Sequence, residues 1–130
     1  YEVPLKPGVP EFLKYCRENG IRTGIGTSNG SEIVDAVLTS LNVKEYFDVV
    51  VTACEVAHGK PEPDIYLEVA KRLGVKPEEC LVFEDIPAGI MAGKAAGMPV
   101  IAVEDDFSKD LMDEKRALAD AVIADYRELL

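Results

Sequence analysis

The sequence predicts an α/β fold in which a mostly parallel sheet is covered by helices on both faces. Short runs of apolar and β-branched residues alternate along the chain with segments whose apolar residues recur at helical spacing. Such alternation is typical of parallel sheets, because each helix crosses over from one strand to the next. At 130 residues, 48% of them hydrophobic, the chain is long enough to form one domain with its own core.

Proline and glycine mark the ends of the predicted elements. Residues 1–8 are rich in proline and predict an extended lead-in. Pro10 and Pro63 suit the first turns of two helices, and Gly20 and Gly74 follow the last turns of the same helices. In chain order the prediction is helix 10–18, strand 21–27, helix 32–41, strand 49–52, helix 63–73, strand 81–83, helix 88–96, strand 99–103, helix 108–119 and strand 121–123.

Three glycines four residues apart, Gly89, Gly93 and Gly97, lie on one face of the predicted helix 88–96 and at its end. Each glycine inside a helix costs about 1 kcal/mol relative to alanine. We therefore expect all three to allow a close approach between this helix and the sheet.

Composition excludes several classes of partner. The net charge of −10 disfavours nucleic acids and anionic membranes, which attract basic surfaces. No apolar run approaches the roughly 20 residues that a membrane-spanning helix needs. Cys16, Cys54 and Cys80 lack the paired spacing of metal ligands and lie among apolar residues, so we expect buried free thiols and a cytoplasmic protein.

Glu84 and Asp85 follow the apolar strand 81–83 directly. Ligands of α/β sheets bind at the carboxyl ends of the strands. Two adjacent carboxylates repel each other unless a cation lies between them, and Mg²⁺ is held by one or two carboxylates together with waters and phosphate. The alternative is a solvated acidic turn at a helix N-terminus, where the helix dipole favours negative charge.

Thr27, Ser28 and Asn29 follow the strand 21–27 and precede a helix. Hydroxyl groups and free N–H groups at such a turn bind anions, although ordinary helix capping by Ser28, Asn29 or Ser31 is an alternative.

Lys60 precedes the helix that starts at Pro63, where the helix dipole disfavours a cation unless an anion is bound nearby. The alternative is a solvated surface lysine.

Two further groups have less specific interpretations. His58 could titrate near neutral pH. The run Glu104, Asp105 and Asp106 is interpreted as a solvated acidic turn.

These three sites follow three different predicted strands. Because parallel strands of one sheet present their carboxyl ends at one edge, we expect Thr27, Lys60 and the pair Glu84-Asp85 to converge. A hydroxyl and an ammonium on phosphate oxygens, with Mg²⁺ joining the phosphate to two acids, are suited to phosphoryl transfer.

Four segments of the chain match the motifs of a known enzyme family. They are Lys6-Pro7-Gly8-Val9, Gly26-Thr27-Ser28-Asn29, Gly59-Lys60-Pro61-Glu62-Pro63-Asp64 and Phe83-Glu84-Asp85-Ile86-Pro87-Ala88-Gly89-Ile90. Through these segments the chain resembles the haloacid dehalogenase (HAD) superfamily, in its β-phosphoglucomutase-like branch. The resemblance implies a three-layer Rossmannoid core, with Thr27 and Lys60 as catalytic and phosphate-binding residues and Glu84 and Asp85 as Mg²⁺ ligands.

One motif of this family is absent. No Asp-x-Asp occurs in the 130 residues, and in the family its first Asp is the nucleophile and its second the general acid/base. We therefore expect the strand that bears it, and the cap domain, to lie before Tyr1 or on a second chain. Residues 1–130 would then be the C-terminal part of a HAD-like core. In the family this strand is the centre of the sheet. It would lie between the strand that ends at Thr27 and the strand that leads to Asp85, and without it two apolar sheet edges are left without a partner.

The resemblance implies a Mg²⁺-dependent phosphatase that acts on a small phosphorylated metabolite through an aspartyl-phosphate, or a sugar phosphate mutase. The chain alone is expected to be inactive. The alternative is a non-catalytic module or partner subunit that binds phosphate or Mg²⁺. Dehalogenation is less favoured because it needs no metal, and a phosphoacceptor receiver domain is disfavoured because the first strand ends at Thr27 and not at an Asp.

Overall fold

The computed structural model of the protein describes residues 8–28, 30–41, 43–103, 112–124 and 126–129. Helices and strands alternate through these residues, as the sequence predicts. The helices are α1 (Val9–Glu18), α2 (Ser31–Ser40), α3 (Asp64–Leu73), α4 (Pro87–Ala95) and α5 (Met112–Leu118), and the strands are β1 (Gly24–Thr27), β2 (Val49–Thr52), β3 (Val82–Glu84), β4 (Val100–Val103) and β5 (Ala121–Ile123). Short 3₁₀ turns lie at Lys44–Tyr46, Ala53–Glu55, Pro77–Glu79 and Tyr126–Leu129.

Most predicted ends agree with the structure to within one residue, and β1 is the main exception. It begins at Gly24 and not at residue 21, because its partner β2 begins opposite at Val49. Ile21 is exposed, and Arg22 instead donates a hydrogen bond to the Leu73 carbonyl at the end of α3. The predictions for residues 1–7, Asn29, residues 108–111 and the acidic turn Glu104, Asp105 and Asp106 lie outside the described residues.

The strands form two parallel sheets. β1 pairs with β2 in the register Gly24↔Val49 to Thr27↔Thr52, and β3, β4 and β5 pair in that order. The parallel arrangement is confirmed, but the sheet is divided between β1 and β3, which have no hydrogen-bonded strand between them in the described part of the chain. The division falls where the resemblance places a central strand.

Helices cover both faces of the sheets, because successive strand residues point to opposite sides. Val50 of β2 belongs to a cluster with α1 and α2, whereas Val51 belongs to the main core with α3 and α4. The smaller cluster contains Leu13, Val34, Leu38 and Val43. The main core contains Val51, Ile65, Tyr66, Val69, Ala70, Val82, Ile90, Ala92, Ala96, Met98, Val100 and Ala102. The predicted three-layer α/β fold is confirmed.

The glycines of α4 play two different roles. A Cβ on Gly93 would lie 2.6 Å from Val100 Cγ2, so this residue allows the close approach to the sheet that the sequence predicts. Gly97 lies beyond the helix with φ +82°, and a Cβ there would meet no atom within 4 Å. The prediction of a close contact at Gly97 is therefore wrong, because this glycine provides the left-handed residue that ends the helix.

Replacing Gly93 by Ala is expected to reduce the free energy of unfolding by about 1–2 kcal/mol, because overpacking of the contact between α4 and β4 outweighs the gain of about 1 kcal/mol in helix propensity. Urea unfolding measures the effect. Gly59→Ala is the control, because Gly59 lies outside the helices, its added Cβ would meet nothing within 4 Å and its φ is not in the left-handed region. A Gly93→Ala protein as stable as the wild type would contradict the close packing.

The cysteines correct one further prediction. All three are free, but only Cys16 is buried; Cys80 is half-buried and Cys54 is exposed in the turn Ala53–Glu55. The apolar neighbours of Cys54 in the sequence were misleading because the chain turns there directly after β2. Within the described residues, none of the helices has the length and apolar character needed to cross a membrane.

Candidate active site

The residues singled out in the sequence lie at the carboxyl ends of the strands. Thr27 is the last residue of β1 and Glu84 the last of β3, and Lys60 lies in the segment that joins the turn Ala53–Glu55 to α3. α4 begins at Pro87, directly after Glu84 and Asp85. The ends of β1 and β3 and the segment before α3 therefore supply the described residues that the sequence singled out.

Lys60 and Glu84 form a buried ion pair. The ammonium group of Lys60 contacts Glu84 Oε2, and the two side chains are 10% and 7% exposed. Neither residue matches its alternative interpretation, since Lys60 is not a solvated surface lysine and Glu84 is not part of a solvated acidic turn. Burial strengthens the attraction between the two charges. It also means that removing one of them would leave the other buried without a compensating charge.

Tyr66 of α3 is a third member of this group, and the sequence interpretation missed it. Its hydroxyl donates a hydrogen bond to the same Glu84 Oε2, and Lys60 Nζ lies 5.1 Å from the centre of its ring. Burial, followed by the charge of Glu84, raises the pKa of Tyr66 well above its usual range, so the hydroxyl remains a donor. Its position in the first turn of α3, six residues after Lys60, is the sequence signal that could have revealed it.

Tyr66 also connects this group to β1. A Cβ on Gly26 would lie 3.3 Å from the Tyr66 ring atom Cε1, so the ring packs against the strand one residue before Thr27. Thr27 is half-buried and Ser28 exposed at this corner. The structure thus brings the end of β1 close to the Lys60–Glu84 pair, across the division between the two sheets.

The capping alternative for Ser28 is not observed. The N-cap residue of α2 is Gly30, which has no side chain that could cap the helix. Ser28 lies two residues before that cap position. Asn29, also predicted to bind phosphate, lies outside the described residues.

The first turn of α4 approaches the Glu84 carboxylate very closely. A Cβ on Gly89 would lie 2.0 Å from Glu84 Cδ and 2.2 Å from Oε1. Only glycine leaves room for the carboxyl group in this position. The carboxylate also lies beside the N-terminal end of the helix, whose dipole favours negative charge.

Asp85 is half-buried, and its charge acts on Tyr126 of the C-terminal turn Tyr126–Leu129. Burial and the charges of Asp85 and Glu84 raise the pKa of Tyr126 to about 12. The Tyr126 ring packs at 5.3 Å from that of Phe83, and the Phe12 ring lies 5.4 Å from Phe83, measured between ring centres. This aromatic cluster holds β3 on the face opposite to the Glu84 side chain.

The residues present fit a magnesium site that is completed by other groups. Glu84 and Asp85 are consecutive carboxylates, and both described donors to Glu84 bind its Oε2. In the described part of the chain, His, Cys, Asp and Glu form no group of three or more that could hold a metal by themselves. Mg²⁺ commonly binds one or two carboxylates and takes waters and phosphate oxygens for the rest, which matches two acids beside a lysine.

His58 lies at the edge of this group. Its imidazole is 72% exposed, and Nδ1 lies 3.2 Å from Asp64 Oδ2 at the start of α3. This contact joins the Lys60 segment to the helix that follows it. The described contacts of His58 therefore indicate a structural role.

Comparison with known proteins agrees with this geometry. The sequence profile of the haloacid dehalogenase-like hydrolases matches residues 2–97. Hexitol phosphatase B of Escherichia coli (strain K12) is 34% identical over 126 residues, which make up 97% of this chain and 56% of that protein.

Two solved structures share the fold. CbbY from Rhodobacter sphaeroides in complex with phosphate has a TM-score of 0.89 at 30% identity, covering 98% of this chain and 57% of that chain. β-Phosphoglucomutase from Clostridium difficile has a TM-score of 0.82 at 30% identity, covering 97% and 52%. The chain thus spans about half the length of the relatives it matches. It belongs to the haloacid dehalogenase-like hydrolases, in their β-phosphoglucomutase-like branch.

Proposed function

We propose that the chain is the larger part of a Mg²⁺-dependent phosphohydrolase core that acts on a small phosphorylated metabolite of the sugar phosphate class. The observation that carries the proposal is the buried Lys60–Glu84 pair, which lies beside Asp85 at the end of β3 and close to the end of β1. Burying a lysine next to two carboxylates carries a large desolvation penalty and stabilises a fold little. A role of these charges in binding a ligand explains their burial better than stability does. The names of the relatives, a hexitol phosphatase and a phosphoglucomutase, support a phosphorylated sugar or polyol as substrate.

Each residue has a proposed role in binding or charge stabilisation. The Thr27 hydroxyl, with Ser28 and Asn29, would donate hydrogen bonds to the phosphate oxygens. Lys60 would balance the charge that develops on the transferred phosphoryl group, while its contact with Glu84 keeps the ammonium in place. Glu84 and Asp85 would hold Mg²⁺, which when bound neutralises phosphate charge.

The nucleophile is proposed to come from outside the chain. A strand with Asp-x-Asp, on an N-terminal segment or a second chain, would insert between β1 and β3 and place its Asp beside Lys60 and Thr27. The chain alone would then be inactive, and residues 1–130 would form the C-terminal part of a core domain. Three free cysteines support a cytoplasmic location.

A second candidate is a non-catalytic subunit that binds phosphate or Mg²⁺. The observation that favours it is the absence of Asp-x-Asp from the sequence. A sugar phosphate mutase uses the same core, but it also needs a cap domain that keeps water away from the phosphoryl group. Hydrolysis is the preferred reaction because the matching sequence profile is that of hydrolases and a hexitol phosphatase is among the relatives.

The test compares three proteins with small phosphate esters and Mg²⁺: the chain alone, the chain joined to an N-terminal segment that carries Asp-x-Asp, and the joined protein with Asp85→Asn. Phosphate release is expected only from the joined protein. The Asp85→Asn change is expected to lower its kcat/KM by about 10–100-fold or more, as loss of a metal-site group does.

Two results would decide against the proposal. Turnover by the chain alone would place the nucleophile within residues 1–130. A joined protein that binds Mg²⁺ and phosphate without any turnover would instead support the non-catalytic alternative.

A further inference from the structure

We propose that Tyr66 is a positioning residue that fixes both the Glu84 carboxylate and the Lys60 ammonium of the candidate site. The inference rests on the proposed function, which supplies the reason why these two charges need fixed positions. Tyr66 itself does not need to touch metal or substrate for this role.

The hydroxyl of Tyr66 orients the carboxylate. Glu84 Oε2 accepts both the Tyr66 O–H and the Lys60 ammonium, so both described donors bind the same oxygen. Neither of these donors binds the other oxygen, Oε1. Both oxygens lie against the first turn of α4, where a Cβ on Gly89 would approach Oε1 to 2.2 Å and Oε2 to 2.3 Å. A carboxylate held through one oxygen presents the other to a cation in a defined direction.

The ring of Tyr66 positions the lysine. Lys60 Nζ lies 5.1 Å from the ring centre, within the range of cation–π attraction. The ring in turn is fixed, because Tyr66 is only 8% exposed and packs against Gly26 of β1, where a Cβ would approach its Cε1 atom to 3.3 Å. One rigid side chain therefore spans the distance from β1 to the end of β3.

A residue that only fills the core at position 66 would not need the hydroxyl group of tyrosine. A phenylalanine at position 66 would fill the same volume in the core between α3 and the sheet. The buried hydroxyl has to find a partner, and the partner is the carboxylate that the candidate metal site requires. Removing such an outer partner of a metal ligand typically costs 10–100-fold in metal affinity.

The test uses the 130-residue chain with Tyr66→Phe, which removes only the hydroxyl. Tyr46→Phe is the control, because it removes the same hydroxyl group from a half-buried tyrosine that packs in the cluster with α1 and α2. Two measurements are made without substrate: the ¹³C resonance of the Glu84 carboxyl group in the absence of metal, and the Kd for Mg²⁺ by titration calorimetry.

Tyr66→Phe is expected to shift the Glu84 carboxyl resonance and to weaken Mg²⁺ binding by about 10–100-fold, while Tyr46→Phe changes neither. Tyr66→Leu is expected also to remove the ring-current shift of the Lys60 side-chain protons, which Tyr66→Phe preserves. An unchanged Glu84 resonance, or an unchanged Mg²⁺ affinity in Tyr66→Phe, would overturn the role of Tyr66. If residues 1–130 bound no Mg²⁺ even when joined to the segment that carries Asp-x-Asp, the proposed function would be contradicted, and the metal-free resonance would still decide whether Tyr66 positions Glu84.

Discussion

Replacing Gly89 by Ala is expected to weaken Mg²⁺ binding by about 10–100-fold, with a stability loss of only about 1–3 kcal/mol. The added Cβ would lie 2.0 Å from Glu84 Cδ. The helix α4 cannot move away from the carboxylate, because its own residues Ile90 and Ala92 are fully buried in the main core. The carboxylate therefore has to move, and it leaves the position in which Lys60 and Tyr66 hold it.

Titration calorimetry with Mg²⁺ and urea unfolding measure the two effects separately. Gly93→Ala is the matched control, because it adds the same methyl group to the same helix but meets Val100 and not the carboxylate. Gly93→Ala is expected to lose stability and retain Mg²⁺ binding. If Gly89→Ala bound Mg²⁺ as tightly as the wild type, Glu84 would not be a metal ligand in the position described.

Replacing Lys60 by Met is expected to reduce the free energy of unfolding by about 3–5 kcal/mol, because it leaves the Glu84 charge buried without its partner. The double variant Lys60→Met with Glu84→Gln is expected to recover part of this loss, since it removes both charges. A coupling energy of about 0.5–3 kcal/mol between the two positions is expected from the cycle.

Urea unfolding of the two single variants and the double variant measures this coupling. Lys44→Met is the control, because Lys44 pairs with Asp35 while both side chains are 59% exposed. An exposed pair contributes about 0–1 kcal/mol, so this variant should remain close to the wild type. Equal stability of Lys60→Met and Lys44→Met would show that the Lys60–Glu84 pair is not buried in solution.

The sequence was sufficient to predict the order of the elements and the approach of the site residues. Thr27 and Glu84 were readable as strand ends because apolar runs stop there. Lys60 was readable as a loop residue before a helix because glycine precedes it and proline follows it. The parallel arrangement followed from the alternation of strands and helices. Lys60 was ambiguous from its sequence position, and only its burial against Glu84 distinguishes it from a surface lysine.

The predictions that were missed or wrong share a physical cause. The spacing of residues along the chain does not show which distant residues a side chain contacts in the fold. Tyr66 was not singled out within the predicted helix 63–73, because its hydroxyl partner is 18 residues away in the chain. Gly97 shares the spacing of Gly89 and Gly93 but lies beyond the last turn, where backbone conformation and not packing requires glycine. Cys54 looked buried from its neighbours although the chain turns outward at that point.

The most direct test of the central claim is the location of the covalent phosphoryl group. The joined protein is incubated with a small phosphate ester and Mg²⁺, quenched in acid, digested and analysed by mass spectrometry. The account predicts a phosphorylated Asp in the added Asp-x-Asp segment, and its loss when that Asp is replaced by Asn. A phosphoryl group on any residue from 1 to 130 would contradict it.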